Sequence, residues 1–274
     1  MSQGQETTRD PAELPAVLRH YSPRIVRYFG RWLDRYFKKH FDGVRISLEG
    51  CPPEDRSGAL IVYTNHPSWW DPILFLLIAR HAFPGRRMFG PMDAAALAKY
   101  SFFERIGAFG IDPFTRRGAA KFLATSRAIL TTRDASLWIT AQGEFSDPRS
   151  RPVQLRTGVA HLIRNLEWGW VVPLAVEYPF WNERAPEALA RFGTPFELAD
   201  EPDRSTDEWN LSLAARLTET MDALAEESVS RDPGRFRTLV LGRAGVGGLY
   251  DRWRKVKAWS RGRAFDPAHG EDER

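Results

Sequence analysis

The densest run of chemically capable residues is Tyr63-Thr64-Asn65-His66-Pro67-Ser68-Trp69-Trp70-Asp71. An apolar stretch ends, a histidine follows at once, and a carboxylate stands five positions later at a predicted helix start. A histidine with a nearby carboxylate is the usual base-and-orienter pair: one ring nitrogen takes a proton while the acid holds the other N–H. The C-terminal end of a strand is where α/β sheets place such groups. A structural reading stays open beside this one. Asp71-Pro72 also suits an N-cap with proline at the first helical position, and His66 also suits a hydrogen-bonded core histidine.

Other chemistries find little support. The single cysteine, Cys51, excludes an intramolecular disulfide and a multi-cysteine zinc site, and its place before Pro52-Pro53 in a predicted loop does not suit a nucleophile. His20, His40 and His81 are scattered, and His161 reads as a packed or surface residue. There is no H-E-x-x-H run and no His/Cys cluster, so no metal is expected. There is also no G-x-S-x-G elbow for an acyl-enzyme.

His66 with Asp71 resembles the H-x4-D motif of glycerolipid acyltransferases of the lysophosphatidic acid acyltransferase type. Counterparts of that family's three downstream blocks follow in order. They are Gly107-Ala-Phe-Gly-Ile-Asp-Pro-Phe-Thr-Arg-Arg117, then Thr140-Ala-Gln-Gly-Glu-Phe145, then Val172-Pro173-Leu174. The resemblance spans about residues 58–178. Two departures fall in the third block, which the family writes F-P-E-G-T-R: Gln142 stands for the glutamate and Phe145 for the arginine. Arg149, Arg151 or Arg156 could supply the missing cation.

The resemblance implies a 1-acylglycerol-3-phosphate O-acyltransferase-like enzyme with His66 and Asp71 as its catalytic pair. The acyl group would come from acyl-CoA or acyl carrier protein as co-substrate, with no resident cofactor. The acceptor would be a hydroxyl of a lysophospholipid or related lipid. Backbone N–H groups around Gly143 are candidates to receive the developing carbonyl charge. Arg116 and Arg117, at a predicted helix N-terminus, suit an anionic group, or else are solvated arginines; Arg151 divides the same way. The expected substrate-binding set is Arg116, Arg117, Gln142, Gly143, Glu144 and Arg151.

Around these residues the chain alternates between strand and helix signals. Strands are expected at 44–48, 60–64, 87–91, 136–140 and 171–177, and helices at 72–81, 117–131 and 156–166. Ser205-x-x-Glu208 is a capping box opening a long helix with Trp209, Leu213, Leu217, Met221 and Leu224 on one side. The pattern predicts an α/β fold: a mixed, mostly parallel sheet covered by helices, with N-terminal amphipathic helices. One of these starts at Ser22-Pro23 and stops before Gly43. Ile25, Phe29, Trp32, Leu33 and Tyr36 lie on one face and Arg24, Arg27, Arg31, Arg35 and Lys38 on the other. Such a helix suits the plane of a membrane interface or a surface position on the domain.

The 274 residues, 43% hydrophobic, suffice for one large domain with arms. The charge is uneven. Residues 1–45 hold 9 Lys/Arg against 5 Asp/Glu, residues 231–274 hold 11 against 6, and the stretch 46–230 between them holds 19 against 24. The expected division is therefore a basic amphipathic arm (1–45), an acyltransferase body (46–230) and a basic aromatic arm (231–274), with Tyr250, Trp253 and Trp259 among the basic residues of 249–263. An acidic body argues against a nucleic-acid partner, and basic arms suit an anionic membrane surface. The longest apolar run, Pro72 to Ala79, is far short of the roughly 20 residues of a membrane-spanning helix. The opening residues are polar and lack an apolar leader. A cytoplasmic protein, peripheral on the inner face of the cell membrane, is expected. Two other functions stay open: a catalytically silent lipid-binding protein on the same fold, and a hydrolase of the same thioester.

Overall fold

In a computed structural model, residues 15–54 and 58–242 are described. The aromatic segment 249–263 of the expected C-terminal arm lies outside them. Nine strands form one sheet: β1 (Gly43–Ser47), β2 (Leu60–Thr64), β3 (Arg87–Asp93), β4 (Ala108–Ile111), β5 (Ala135–Thr140), β6 (Trp170–Glu177), β7 (Glu187–Phe192), β8 (Phe196–Glu197) and β9 (Phe236–Leu241). Their order is β4-β3-β5-β2-β6-β7-β1-β9, with β8 paired to β6. The pairs β4/β3, β3/β5, β5/β2, β2/β6 and β7/β1 are parallel; β6/β7, β1/β9 and β6/β8 are antiparallel. The sheet is thus mixed and mostly parallel, as the alternation predicts. Strand β9 lies within the segment expected as the C-terminal arm, and β1 straddles the expected boundary at residue 45.

All five residues of β2 are buried, which is the mark of a strand covered on both faces. Leu60 and Val62 face one apolar layer, with Leu33, Phe37, Leu74, Leu77 and Val172. Ile61 and Tyr63 face the other, with Phe122, Leu137, Leu213 and Leu217. The first layer is built by α2 (Pro23–His40) and α3 (Asp71–Ala82), the second chiefly by α5 (Arg116–Leu130), α6 (Gly158–Ile163) and α7 (Thr206–Ser230). Two short helices, α1 (Ala16–His20) and α4 (Ala94–Lys99), complete the set. The capping box at Ser205 and Glu208 forms at the start of α7 as its sequence requires.

Helix α2 begins where expected, with the Ser22 hydroxyl accepting from Ile25 N–H. Gly30, Leu33 and Phe37 are its buried residues, while Arg24, Arg27, Arg31, Arg35 and Lys38 stay exposed. Gly30 has a specific reason to be there. A Cβ at this position would collide with the Arg80 guanidinium of α3, which crosses here to pair with Asp34. The roughly 1 kcal/mol that a mid-helix glycine costs is thus offset by a close helix contact and an ion pair. No helix among the described residues is long and apolar enough to cross a membrane.

Candidate functional site

Three adjacent parallel strands deliver the site. β5, β2 and β6 lie side by side, and just past their C-terminal ends stand Gln142, His66 and Tyr178. His66 Nδ1 is 2.6 Å from Asp71 Oδ2. The same oxygen accepts from Ser68 N–H at 3.1 Å, and Asp71 Oδ1 accepts from the Tyr178 hydroxyl at 2.6 Å. Asp71 is 0% exposed, and these donors offset the cost of burying its charge. It is the first residue of α3, where the helix dipole also favours an anion.

The N-cap alternative for Asp71 is not what the fold uses. The N-cap position of α3 is Trp70, no side chain caps the helix, and both Asp71 oxygens point to His66, Ser68 and Tyr178. His66 is not sealed in the core either: its side chain keeps 16% of its surface open. With Nδ1–H given to Asp71, Nε2 is left with its lone pair free. Tyr178 keeps its proton, because burial of its hydroxyl end and then the Asp71 charge hold the phenol well above its usual range.

The backbone around His66 is clamped. Gln142, 8% exposed, accepts the His66 N–H at 2.8 Å through Oε1, and the His66 carbonyl accepts from Ser146 N–H at 2.9 Å. One residue earlier, Asn65 donates to Val176 O and accepts from Val176 N–H, both at 2.9 Å, locking the end of β2 to β6. Gln142 therefore supports the histidine's peptide, a task that needs an acceptor oxygen and no charge. A glutamate there would supply the same oxygen either as a buried anion or by holding its proton.

The loop between Gln142 and Ser146 turns at Gly143, whose φ of +71° is the left-handed region that glycine adopts freely. Gly143 N–H is spent on Thr140 O at 3.1 Å, so it is not a donor for substrate. Glu144 and Phe145 are exposed. The Phe145 ring lies on the imidazole of His66, centroids 4.4 Å apart, and is itself 62% exposed.

The candidate cations separate clearly. Arg151 is engaged by Asp222 and by the carbonyls of Pro148 and Ser150, and Arg149 by Asp147 at 2.7 Å. Neither is a free cation. Arg116 and Arg117 open α5, which Thr115 caps by accepting from Gly118 N–H at 2.9 Å; both are exposed. Arg156 packs over Gly143 and sits 4.8 Å above the Phe114 ring, bringing the loop after β5 against the segment before α5. Among the described residues no carboxylate pairs with Arg116, Arg117 or Arg156. A cleft of about 230 Å³ is lined by Asn65, Arg149, Arg151, Val176, Glu177 and Met221, among others, without His66 itself. Burial pushes the Glu177 carboxyl up. No group of metal-ligating side chains occurs among the described residues.

An aromatic run leads from α2 to the site. Phe102 meets Phe29, Phe29 stacks on Trp32, Trp32 on Tyr36, Tyr36 meets Trp70, and Trp70 stacks on Trp69 within the loop between His66 and Asp71. Tyr28, Trp32 and Trp69 are exposed along or beside it.

The sequence alone did not point to Tyr178, Ser68, Asn65 or the placement of Phe145. For Tyr178 the available signal was its position just past the strand expected over 171–177.

The acyltransferase family model matches residues 45–177. Among solved structures, the crystal structure of the 1-acyl-sn-glycerophosphate acyltransferase PlsC from Thermotoga maritima shares the fold. Its TM-score is 0.51 at 13% identity, covering 77% of this chain and 87% of that one. Among curated proteins, no sequence matches the chain.

Proposed function

From the match of the acyltransferase family model to residues 45–177, we propose that this chain is a peripheral membrane O-acyltransferase. In this reading it moves a fatty acyl group from a thioester donor, acyl-CoA or acyl carrier protein, to a lipid hydroxyl in phospholipid or related lipid biosynthesis. The observation that carries it is the His66–Asp71 pair at 2.6 Å, with Nε2 free and the carboxylate held by Tyr178 and Ser68.

The chemistry follows from that geometry. The acceptor oxygen attacks the thioester carbonyl as its proton passes to His66 Nε2, and Asp71 stabilises the imidazolium that results. The tetrahedral intermediate collapses, the C–S bond breaks, and the departing sulfur takes the proton from His66. An ester and a free thiol result, with no acyl-enzyme. The charge on the carbonyl oxygen needs fixed donors. The N–H groups of Glu144 and Phe145, which no backbone carbonyl among the described residues takes, are the candidates in place of Gly143. Arg116, Arg117 and Arg156, which no carboxylate pairs with among the described residues, are the proposed contacts for an anionic part of a substrate. Asp71, with its buried donors, argues against a silent lipid carrier, which has no use for an anion so fully satisfied. Phe145 over the imidazole limits water at the base and favours transfer over hydrolysis.

The membrane part of the proposal rests on α2 and the aromatic run. A helix with exposed arginines beside Tyr28 and Trp32 suits an anionic interface, where tryptophan and tyrosine are favoured. The run ends at Trp69, so contact with lipid there would bring the bilayer surface to the site. The inner face of the cell membrane is the proposed location. The test is one preparation of vesicles containing anionic lipid, lysolipid acceptors and an acyl thioester. His66→Ala is expected to float with the vesicles but to release thiol only at background rate, whereas the wild type floats and releases thiol well above that rate. Full turnover by His66→Ala would end the proposal.

A further inference from the structure

We infer that the hydroxyl delivered to His66 is carried on an uncharged group, and that Phe145 and Glu144 select against an acceptor bearing a phosphate next to that hydroxyl. The inference rests on the acyl-transfer reading and narrows its acceptor. The ring packed on the imidazole is a phenyl, centroids 4.4 Å apart. Its backbone is fixed, since the loop carrying it is tied to His66 N–H through Gln142 and to the His66 carbonyl through Ser146. A ring that is 62% exposed adds little to the core, so its surface is available to whatever approaches the histidine. Glu144 beside it is exposed, and no cation pairs with it among the described residues.

A phosphomonoester held close enough to present its neighbouring hydroxyl to Nε2 would therefore meet the apolar Phe145 ring. The ring cannot replace the hydration of the phosphate, and the exposed Glu144 one residue earlier adds negative charge to this loop. The arginines nearest along the chain do not answer this, since Arg149 and Arg151 are committed to Asp147 and Asp222. Arg156 packs against Gly143 of the same loop, and its uncommitted guanidinium is stacked on the Phe114 ring at 4.8 Å, with Arg116 and Arg117 close by in sequence at the start of α5. A neutral glycerol, sugar or long-chain alcohol has no charge to repel, and its C–H faces pack well on an aromatic ring.

The test offers monoacylglycerol and lysophosphatidic acid with the same acyl chain, in the same vesicles and with the same thioester donor, and measures ester product from each. The wild type is expected to acylate the neutral alcohol about tenfold or more faster. Phe145→Arg, at an exposed position that tolerates charge, is expected to narrow or reverse the ratio; Phe145→Leu, still apolar, is expected to preserve it. Wild-type preference for lysophosphatidic acid overturns the inference while acyl transfer stands. An unchanged ratio in a folded Phe145→Arg enzyme overturns the role given to Phe145. Absence of His66-dependent acylation of either lipid overturns the acyl-transfer reading itself, and the inference with it.

Discussion

Replacing Tyr178 by phenylalanine removes one oxygen and tests whether the Asp71 carboxylate is tuned as well as buried. In the native site Asp71 Oδ1 has the Tyr178 hydroxyl at 2.6 Å, while Oδ2 serves His66 and Ser68. Losing a hydrogen bond to a charged group costs about 1.5–3 kcal/mol. In a chain of this size, a loss of about 2 kcal/mol lowers Tm by about 6 °C. The second effect is electronic. Without the phenol, the negative charge on Asp71 is less dispersed and holds the proton of an imidazolium more strongly. If about 1 kcal/mol of the lost interaction falls on the imidazolium, the acidic limb of the kcat/KM profile moves up by about 0.7 unit. The assay is thiol release against pH at acceptor concentrations below KM, run beside thermal unfolding. A purely structural tyrosine would lower Tm and leave the limb where it was. That result, or a downward shift, would refute the reasoning.

Two further outcomes follow from groups around the same histidine. Gln142→Ala orphans the His66 N–H and should cost about 1–3 kcal/mol of stability, with kcat falling more than KM rises because the imidazole loses its anchor; kinetics and unfolding on one preparation check both. Glu177, raised by burial, holds its proton more tightly in the folded protein than in the unfolded chain. Its contribution is fully present below the unfolded carboxylate range and is lost as pH rises through its folded value. Glu177→Gln, which mimics the protonated form, should unfold at higher temperature than the wild type near about pH 8, with the gap closing near about pH 4; an equal gap at both would contradict this.

How far the sequence reveals this molecule depends on how local each cause is. Strand β2 was legible to the residue, because Leu60–Thr64 is an unbroken apolar run ended by polar residues. The start of α7 was legible because a capping box is a local device. The helix expected over 156–166 is shorter, Gly158–Ile163, and Arg156 before it belongs to a loop tied by its N–H to Ala141 O at 2.9 Å, a tertiary bond that no periodicity records. Strands β4, β7, β8 and β9 went unread. β8 has two residues, β4 has four, and β9 is an edge strand with half of its residues exposed, so none carries a strong alternation. At the site, His66 and Asp71 lie five residues apart and could be paired on paper. Tyr178, more than a hundred residues away, meets Asp71 only because β6 runs beside β2. The fate of Arg151 was hidden for the same reason, since its partner Asp222 belongs to α7.

The hydrogen bond from the His66 amide to Gln142 bears on how such chains are to be sought. A pattern demanding a carboxylate at that position and a guanidinium three places on would discard this protein, although the contact that steadies the imidazole is intact. An amide oxygen does there what an acid oxygen would do. Letters in a motif that look interchangeable thus divide into two kinds: one at which any acceptor maintains the machinery, and one, at Phe145, at which a change rewrites what the machinery accepts.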